Sequence, residues 1–223
     1  MSPRAAAALP LILIAASAAA FLRTEQLKLR HSPVARPHIR QAISPGCTAS
    51  GCHPVAHMHF TLRDAQTLSL AMARPSGAPV KQLVSHQRFP KGIVHVAWDG
   101  TTNTGSRAPD GRYDLQVTLA SGRRITIPDP VVVDTVPPTV TLGAVTRSPT
   151  LVTIPYRRSR GTGHAEMIVT QNGHVVLQKD VIPHVCYLHA SEVSPGRYTV
   201  TIVAVDRAGN RTTDPPSFTV TFR

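Results

Sequence analysis

Aromatic residues are scarce: one Trp, four Tyr and five Phe in 223 residues, 4% of the chain. Proteins that hold single-stranded nucleic acid stack bases on aromatic rings set among basic residues. With so few rings and scattered arginines, nucleic acid is disfavoured as a partner. Acidic residues are also few, 12 against 24 Lys and Arg, so the formal net charge is +12 and the pI is near 10.8. A field of that sign favours anionic partners such as lipid headgroups or acidic envelope polymers. Gly-x-Ser-x-Gly, His-Glu-x-x-His and the Walker phosphate loop are all missing. The stretch 160–166, Arg-Gly-Thr-Gly-His-Ala-Glu, precedes a strand rather than a helix and is expected as a loop. No catalytic pair emerges, so the chain is not expected to be an enzyme, and no cofactor is expected.

No window after residue 56 carries a convincing helical period. Alternation takes its place, punctuated by 20 Pro and 14 Gly. Ala56, Met58, Phe60 and Leu62 share one face, and His57, His59 and Thr61 share the other. Leu68, Leu70 and Met72 alternate, as do Val94, Val96 and Trp98, and Tyr113, Leu115, Val117 and Leu119. A period of two marks half-buried strands. A second set follows at 139–142, 151–156, 166–170, 174–178, 184–190, 197–205 and 217–222. Asn172-Gly173 tolerates positive φ at both turn positions and predicts a type I′ hairpin between two of them. The pattern predicts an all-β fold: two tandem immunoglobulin-like β-sandwiches behind an N-terminal hydrophobic helix.

That helix is expected over residues 5–22, an apolar run behind a short cytoplasmic head, 1–4. It has about the 20 residues needed to cross a bilayer. It reads as a transmembrane anchor, which would make the chain a single-pass membrane protein with its bulk outside the cytoplasm. The alternative is a signal segment cleaved near Ala18 or Ala20 and a secreted product. Residues 23–55, rich in Pro and Arg and carrying a cysteine pair, are expected to form an extended stalk. Sandwiches are expected over 56–134 and 135–223, meeting at Pro137-Pro138 with limited mutual contact.

The two halves echo each other. Pro109-Asp110-Gly111-Arg112-Tyr113 and Ser194-Pro195-Gly196-Arg197-Tyr198 both open an alternating run, each with a turn and a further strand expected next, over 121–127 and 206–213. A Tyr there can lie over the sheet edge with its hydroxyl bonded to backbone, as a tyrosine corner does. The first half resembles the immunoglobulin-like domain of the FlgD/Vpr type. The resemblance rests on Val96-Ala97-Trp98-Asp99-Gly100, Gly105, Pro109 and Gly111 to Tyr113. It implies the module alone, with no role in flagellar assembly. The junction Asp134 to Thr141 resembles those between tandem immunoglobulin-like domains of bacterial surface proteins. Ala204 to Thr212, with Asp206, Gly209 and Asn210, resembles the last hairpin of such domains, and Tyr198 completes this second bacterial module's signature. The resemblance implies adhesion, scaffolding or protein–protein interaction.

Cys47 and Cys52 carry the remaining question. A c-type haem clasp usually reads Cys-x-x-Cys-His; here four residues separate the pair before His53. Cys47, Cys52, His57 and His59 offer four zinc ligands, although His-x-His is shorter than the usual separation. A small disulfide loop pinning the stalk to the first sandwich needs only a chain reversal, which Ser50-Gly51 allows, and an extracytoplasmic compartment favours it. The disulfide is the preferred reading, and metal or haem binding by an extracytoplasmic protein is the alternative. Cys186, among apolar neighbours, is expected as a buried free thiol. Asp99, Asn103 and Asp110 could supply some calcium ligands, but Asp beside turn residues usually bonds local amides. Trp98 and Tyr113 fall on the core face of their strands rather than on a sugar-binding platform.

Overall fold

Alternating stretches become strands, and each buries the face its pattern assigns. The computed structural model describes Ser17 and residues 32–39, 41–159 and 161–223. The expected anchor or signal over 5–22 therefore lies outside the described residues, apart from Ser17. Among the described residues no helix is long and apolar enough to cross a membrane.

The first sandwich contains β1 (Val34–His38), β2 (Gln41–Ile43), β3 (Ala56–Leu62), β4 (Gln66–Ala73), β5 (Pro79–Phe89), β6 (Gly92–Trp98), β7 (Gly111–Leu119), β8 (Arg124–Thr126) and β9 (Val131–Val133). One sheet has the order β1-β3-β6; the other runs β2-β9-β7-β4-β5, with β8 paired to β7. Met58, Phe60, Leu62, Leu70, Met72, Trp98, Leu115 and Val117 fill the space between them. The second sandwich contains β10 (Val140–Leu142), β11 (Thr146–Arg147), β12 (Leu151–Arg158), β13 (Thr162–Gln171), β14 (His174–Asp180), β15 (Val185–His189), β16 (Gly196–Asp206) and β17 (Ser217–Phe222). There β12 pairs with β10, β11 and β15, facing a sheet of order β14-β13-β16-β17. Its separate core includes Ile154, Tyr156, Met167, Leu188, Tyr198 and Ile202.

The two halves share a topology. The pairings β3–β6, β4–β5 and β4–β7 in the first match β12–β15, β13–β14 and β13–β16 in the second. The two Gly-Arg-Tyr stretches open the equivalent strands β7 and β16. In each, the tyrosine hydroxyl donates to a carbonyl four residues back: Tyr113 to Pro109 at 2.6 Å, Tyr198 to Ser194 at 2.5 Å. Between β13 and β14, Asn172 and Gly173 have φ of 50° and 82°, as a type I′ turn requires.

Three stated expectations change. First, residues 34–43 are not extended stalk. β1 pairs antiparallel with β3, and β2 pairs parallel with β9, so the chain changes sheet between them. Ile39 and Ile43 are fully buried, and the core they complete holds this segment in place. The sandwich thus begins near Pro33 instead of residue 56. Second, β13 starts at Thr162, inside the expected 160–166 loop. A bulge at Gly163 lets Thr162 pair with Asp206 and His164 with Val205. Third, 206–213 is a turn closed on Asp206, and the next strand begins only at Ser217.

Candidate functional site

Cys47 and Cys52 form a disulfide, with Cα atoms 6.3 Å apart. The loop closes on itself through Ser44 N–H to the His53 carbonyl at 2.8 Å and Cys52 N–H to the Ala49 carbonyl at 3.2 Å. Sulfurs bonded to each other are not thiolates, so the four-ligand zinc set of Cys47, Cys52, His57 and His59 is not assembled. A haem clasp of Cys47, Cys52 and His53 fails for the same reason.

The disulfide loop does more than close the start of the first sandwich. It lies between β2 and β3 and docks on the second sandwich. His53 N–H donates to the Ala208 carbonyl at 3.0 Å. Gly209, at φ 83°, lies so close to the Cys52 Cα and the Gly51 carbonyl that a Cβ there would collide with both. The Asn210 amide donates to the Asp134 carbonyl at 2.8 Å and to the Asp206 carboxylate at 2.7 Å. That carboxylate also accepts the N–H groups of Ala208 and Asn210 at 2.8 and 2.9 Å. The junction is therefore braced by the disulfide loop as well as by Pro137-Pro138, which is more contact than sequence reasoning anticipated.

The remaining signature residues build the same end of the first sandwich. Trp98 is 1% exposed, meets Tyr113 edge-on with ring centres 5.1 Å apart, and donates its indole N–H to the Thr101 carbonyl at 2.8 Å. Both rings pack inside the core. Asp99 accepts the Thr101 hydroxyl at 2.7 Å, and this bond holds its carboxyl below the ordinary range. Gly100, at φ 73°, faces the Pro45 ring with no room for a Cβ. Gly105 and Gly111 also adopt positive φ. Asp110 accepts the Thr135 N–H at 3.1 Å, and Asn103 accepts the Gln82 N–H at 2.8 Å. Asp99 serves a donor two residues on, whereas Asn103 and Asp110 serve donors 21 and 25 residues away in the chain. Asp134, at the junction, is pushed upward by burial, with smaller contributions from the Asp206 and Asp110 charges.

Cys186 is 1% exposed, and burial pushes its thiol up to about 12. Thiol titration of the unfolded, unreduced protein is expected to find one thiol, and titration of the native protein almost none. Three reactive thiols after unfolding would contradict the disulfide.

Two polar clusters were not anticipated from the sequence. In the second sandwich, possible ligand atoms of His164, Glu166 and Asp180 lie within 4.8 Å of one another. Glu166 there already accepts from Arg211 at 2.9 Å, Gln178 at 3.0 Å and His164 at 3.2 Å. The Arg211 bond is the main cause holding its carboxyl below the usual value. In the first sandwich, the outward face of β1, β3 and β6 carries His38, His59 and His95 in a row. Their ring centres are 5.0 and 5.7 Å apart. His57 and His59 point outward as alternation predicted; that His38 and His95 join them depends on strand pairing.

Residues 54–123 match the family model of the FlgD Ig-like domain. The match runs from just before β3 to the turn after β7, within the first sandwich. Among solved structures, the chain is similar to the fibronectin(III)-like modules of Clostridium thermocellum CbhA, with 17% identity over 84% of this chain and 94% of that one and a TM-score of 0.42. It is similar to the chicken CNTN1 FN1–FN3 domains, with 10% identity over 83% and 68% and a TM-score of 0.44. It is also similar to the human OSCAR ligand-binding domain, with 10% identity over 82% and 96% and a TM-score of 0.39. No curated protein sequence matches the chain.

Proposed function

We propose that this is a non-enzymatic envelope protein that displays two immunoglobulin-like modules outside the cytoplasm, for adhesion, scaffolding or protein–protein interaction. The second sandwich is a bacterial module of the same general kind, and residues 5–22 hold the chain at the membrane. The observation that carries the reading is the braced junction. His53 bonded to Ala208, Asn210 bonded to Asp134, and Gly209 seated on the disulfide loop restrain one sandwich against the other. Such a pair presents its outer faces and strand edges at a set spacing, which is what a display or spacer protein needs. A structural disulfide suits an oxidising compartment. The partner is a protein or, given the +12 charge, an anionic envelope polymer.

Labelling of intact cells with a membrane-impermeant amine reagent tests this. Lys91 is exposed at the turn before β6 and is expected to be modified without lysis, with the full-length chain recovered in the membrane fraction. Labelling only after lysis would sink the reading.

A further inference from the structure

The outward face of the β1-β3-β6 sheet gathers imidazoles from three strands. His57 and His59 stand at i and i+2 on β3, so both leave the same face. In register, His59 is opposite His95 of β6 on one side and His38 of β1 on the other. His57, His59 and His95 line one shallow depression together with Met58, Val96 and Ala97. Among the described residues, the ring nitrogens of these three histidines form no hydrogen bond. Their backbone is well held. The Gln41 side chain accepts the His57 N–H at 2.7 Å and donates to the His57 carbonyl, standing in for a strand where β1 no longer pairs.

We propose that His57, His59 and His95 form a binding site for a divalent transition ion of borderline softness, the class that includes Zn²⁺, Ni²⁺ and Cu²⁺, with His38 stacked on His59 and orienting it. Neutral imidazole is a preferred ligand for these ions. A metal–nitrogen bond of about 2.0–2.1 Å puts a ring centre roughly 3.2 Å from the metal, so rings 5.7 Å apart subtend about 125° at a shared ion, close to a tetrahedral opening. As placed, the ring nitrogens of the three do not all lie within 4.8 Å of one another, so binding asks the side chains to rotate; His57 and His95 are exposed and His59 is half-buried. Three protein ligands leave a position for water, so the site is open. The cluster of His164, Glu166 and Asp180 is the weaker candidate, because an ion there must displace the Arg211 guanidinium from Glu166.

The test uses the untagged full-length chain, titrated calorimetrically with Zn²⁺ alone and, separately, followed by electron paramagnetic resonance with Cu²⁺ alone. One site is expected, with imidazole nitrogen couplings in the Cu²⁺ spectrum. His59→Ala and His95→Ala are each expected to weaken binding tenfold or more, with the metal-free melting temperature unchanged because these side chains lie outside the core. His164→Ala is expected to leave binding as it was. Binding weaker than millimolar for both ions, binding indifferent to His59→Ala, or binding lost with His164→Ala would each overturn the proposal.

Discussion

Replacing Trp98 by Ala is expected to cost the first sandwich about 3–5 kcal/mol of stability. The indole ends β6, is 1% exposed, and fills the space between the sheets against the edge of Tyr113. Truncation leaves a cavity between the two sheets, which the β3–β6 ladder on one side and the β4–β7 and β7–β9 ladders on the other hold apart. It also removes the aromatic pair, which contributes about 0.5–1.5 kcal/mol beyond area. The Thr101 carbonyl loses its 2.8 Å donor at the same time. Trp98→Phe separates these effects: it keeps most of the volume and loses the donor, for about 1–3 kcal/mol. Urea unfolding followed by circular dichroism is the measurement, because Trp98 is the only tryptophan and its removal silences indole fluorescence. The second core contains none of the residues around Trp98, so its transition is expected to stay in place. A loss under about 1 kcal/mol would mean that the indole does not pack as described.

Alternation made most of this fold legible. On β3 and β6 buried positions alternate with open ones, and on β4 and β7 the core face alternates mostly with half-buried positions, Ala73 and Gln116 being buried on the other side, so the sequence period and the burial period largely coincide. Asn172-Gly173 was legible because few other pairs adopt two successive positive φ angles. β1 and β2 were hidden for a different reason. They are short, Arg36 takes φ 47° beside Pro37, and the register slips between Ala35 and His38. The segment crosses from one sheet to the other, so no single face persists long enough to show a period. β5 escaped notice because it is an edge strand with no fully buried residue and a bulged pairing to β4.

The candidate sites were legible only in part, because the missing members are distant in sequence. Cys47 and Cys52 could be paired from proximity and compartment. Nothing local reveals that their loop meets Ala208 and Gly209, about 160 residues further on. His57 and His59 could be placed on an outward face by counting residues. That His38 and His95 flank His59 follows from the β1-β3-β6 order, which is a property of topology. Trp98, Asp99 and Gly100 stood out as a signature. Their role of shaping a core end and seating Pro45 came only with the three-dimensional packing.

Gly209→Ala is expected to open the junction while leaving both sandwiches folded. Two costs combine at this position. A non-glycine residue at φ 83° incurs about 1–2 kcal/mol of left-handed strain. The new Cβ also strikes backbone, the Cys52 Cα and the Gly51 carbonyl, which the disulfide holds and which cannot rotate away as a side chain would. Relief comes most cheaply by separating the two surfaces, with loss of the bonds from His53 to Ala208 and from Asn210 to Asp134. Only the collision is confined to the closed arrangement, and each 1.4 kcal/mol of it shifts the closed-to-open ratio about tenfold, so proteinase K should cut the 134–139 linker at least tenfold faster. Small-angle scattering should show a broader spread of maximum dimensions. Each sandwich keeps its own core, so its unfolding midpoint should move little. Gly105→Ala is the control: φ is 81° there, but nothing lies within 4 Å of the added Cβ. It bears the backbone strain without the collision and should leave linker cleavage unchanged. Reducing the disulfide in the wild-type chain should loosen the junction in the same direction, since the loop that receives Gly209 then gains freedom. If Gly209→Ala leaves both the cleavage rate and the scattering profile as they were, the disulfide loop is not what holds the two sandwiches together.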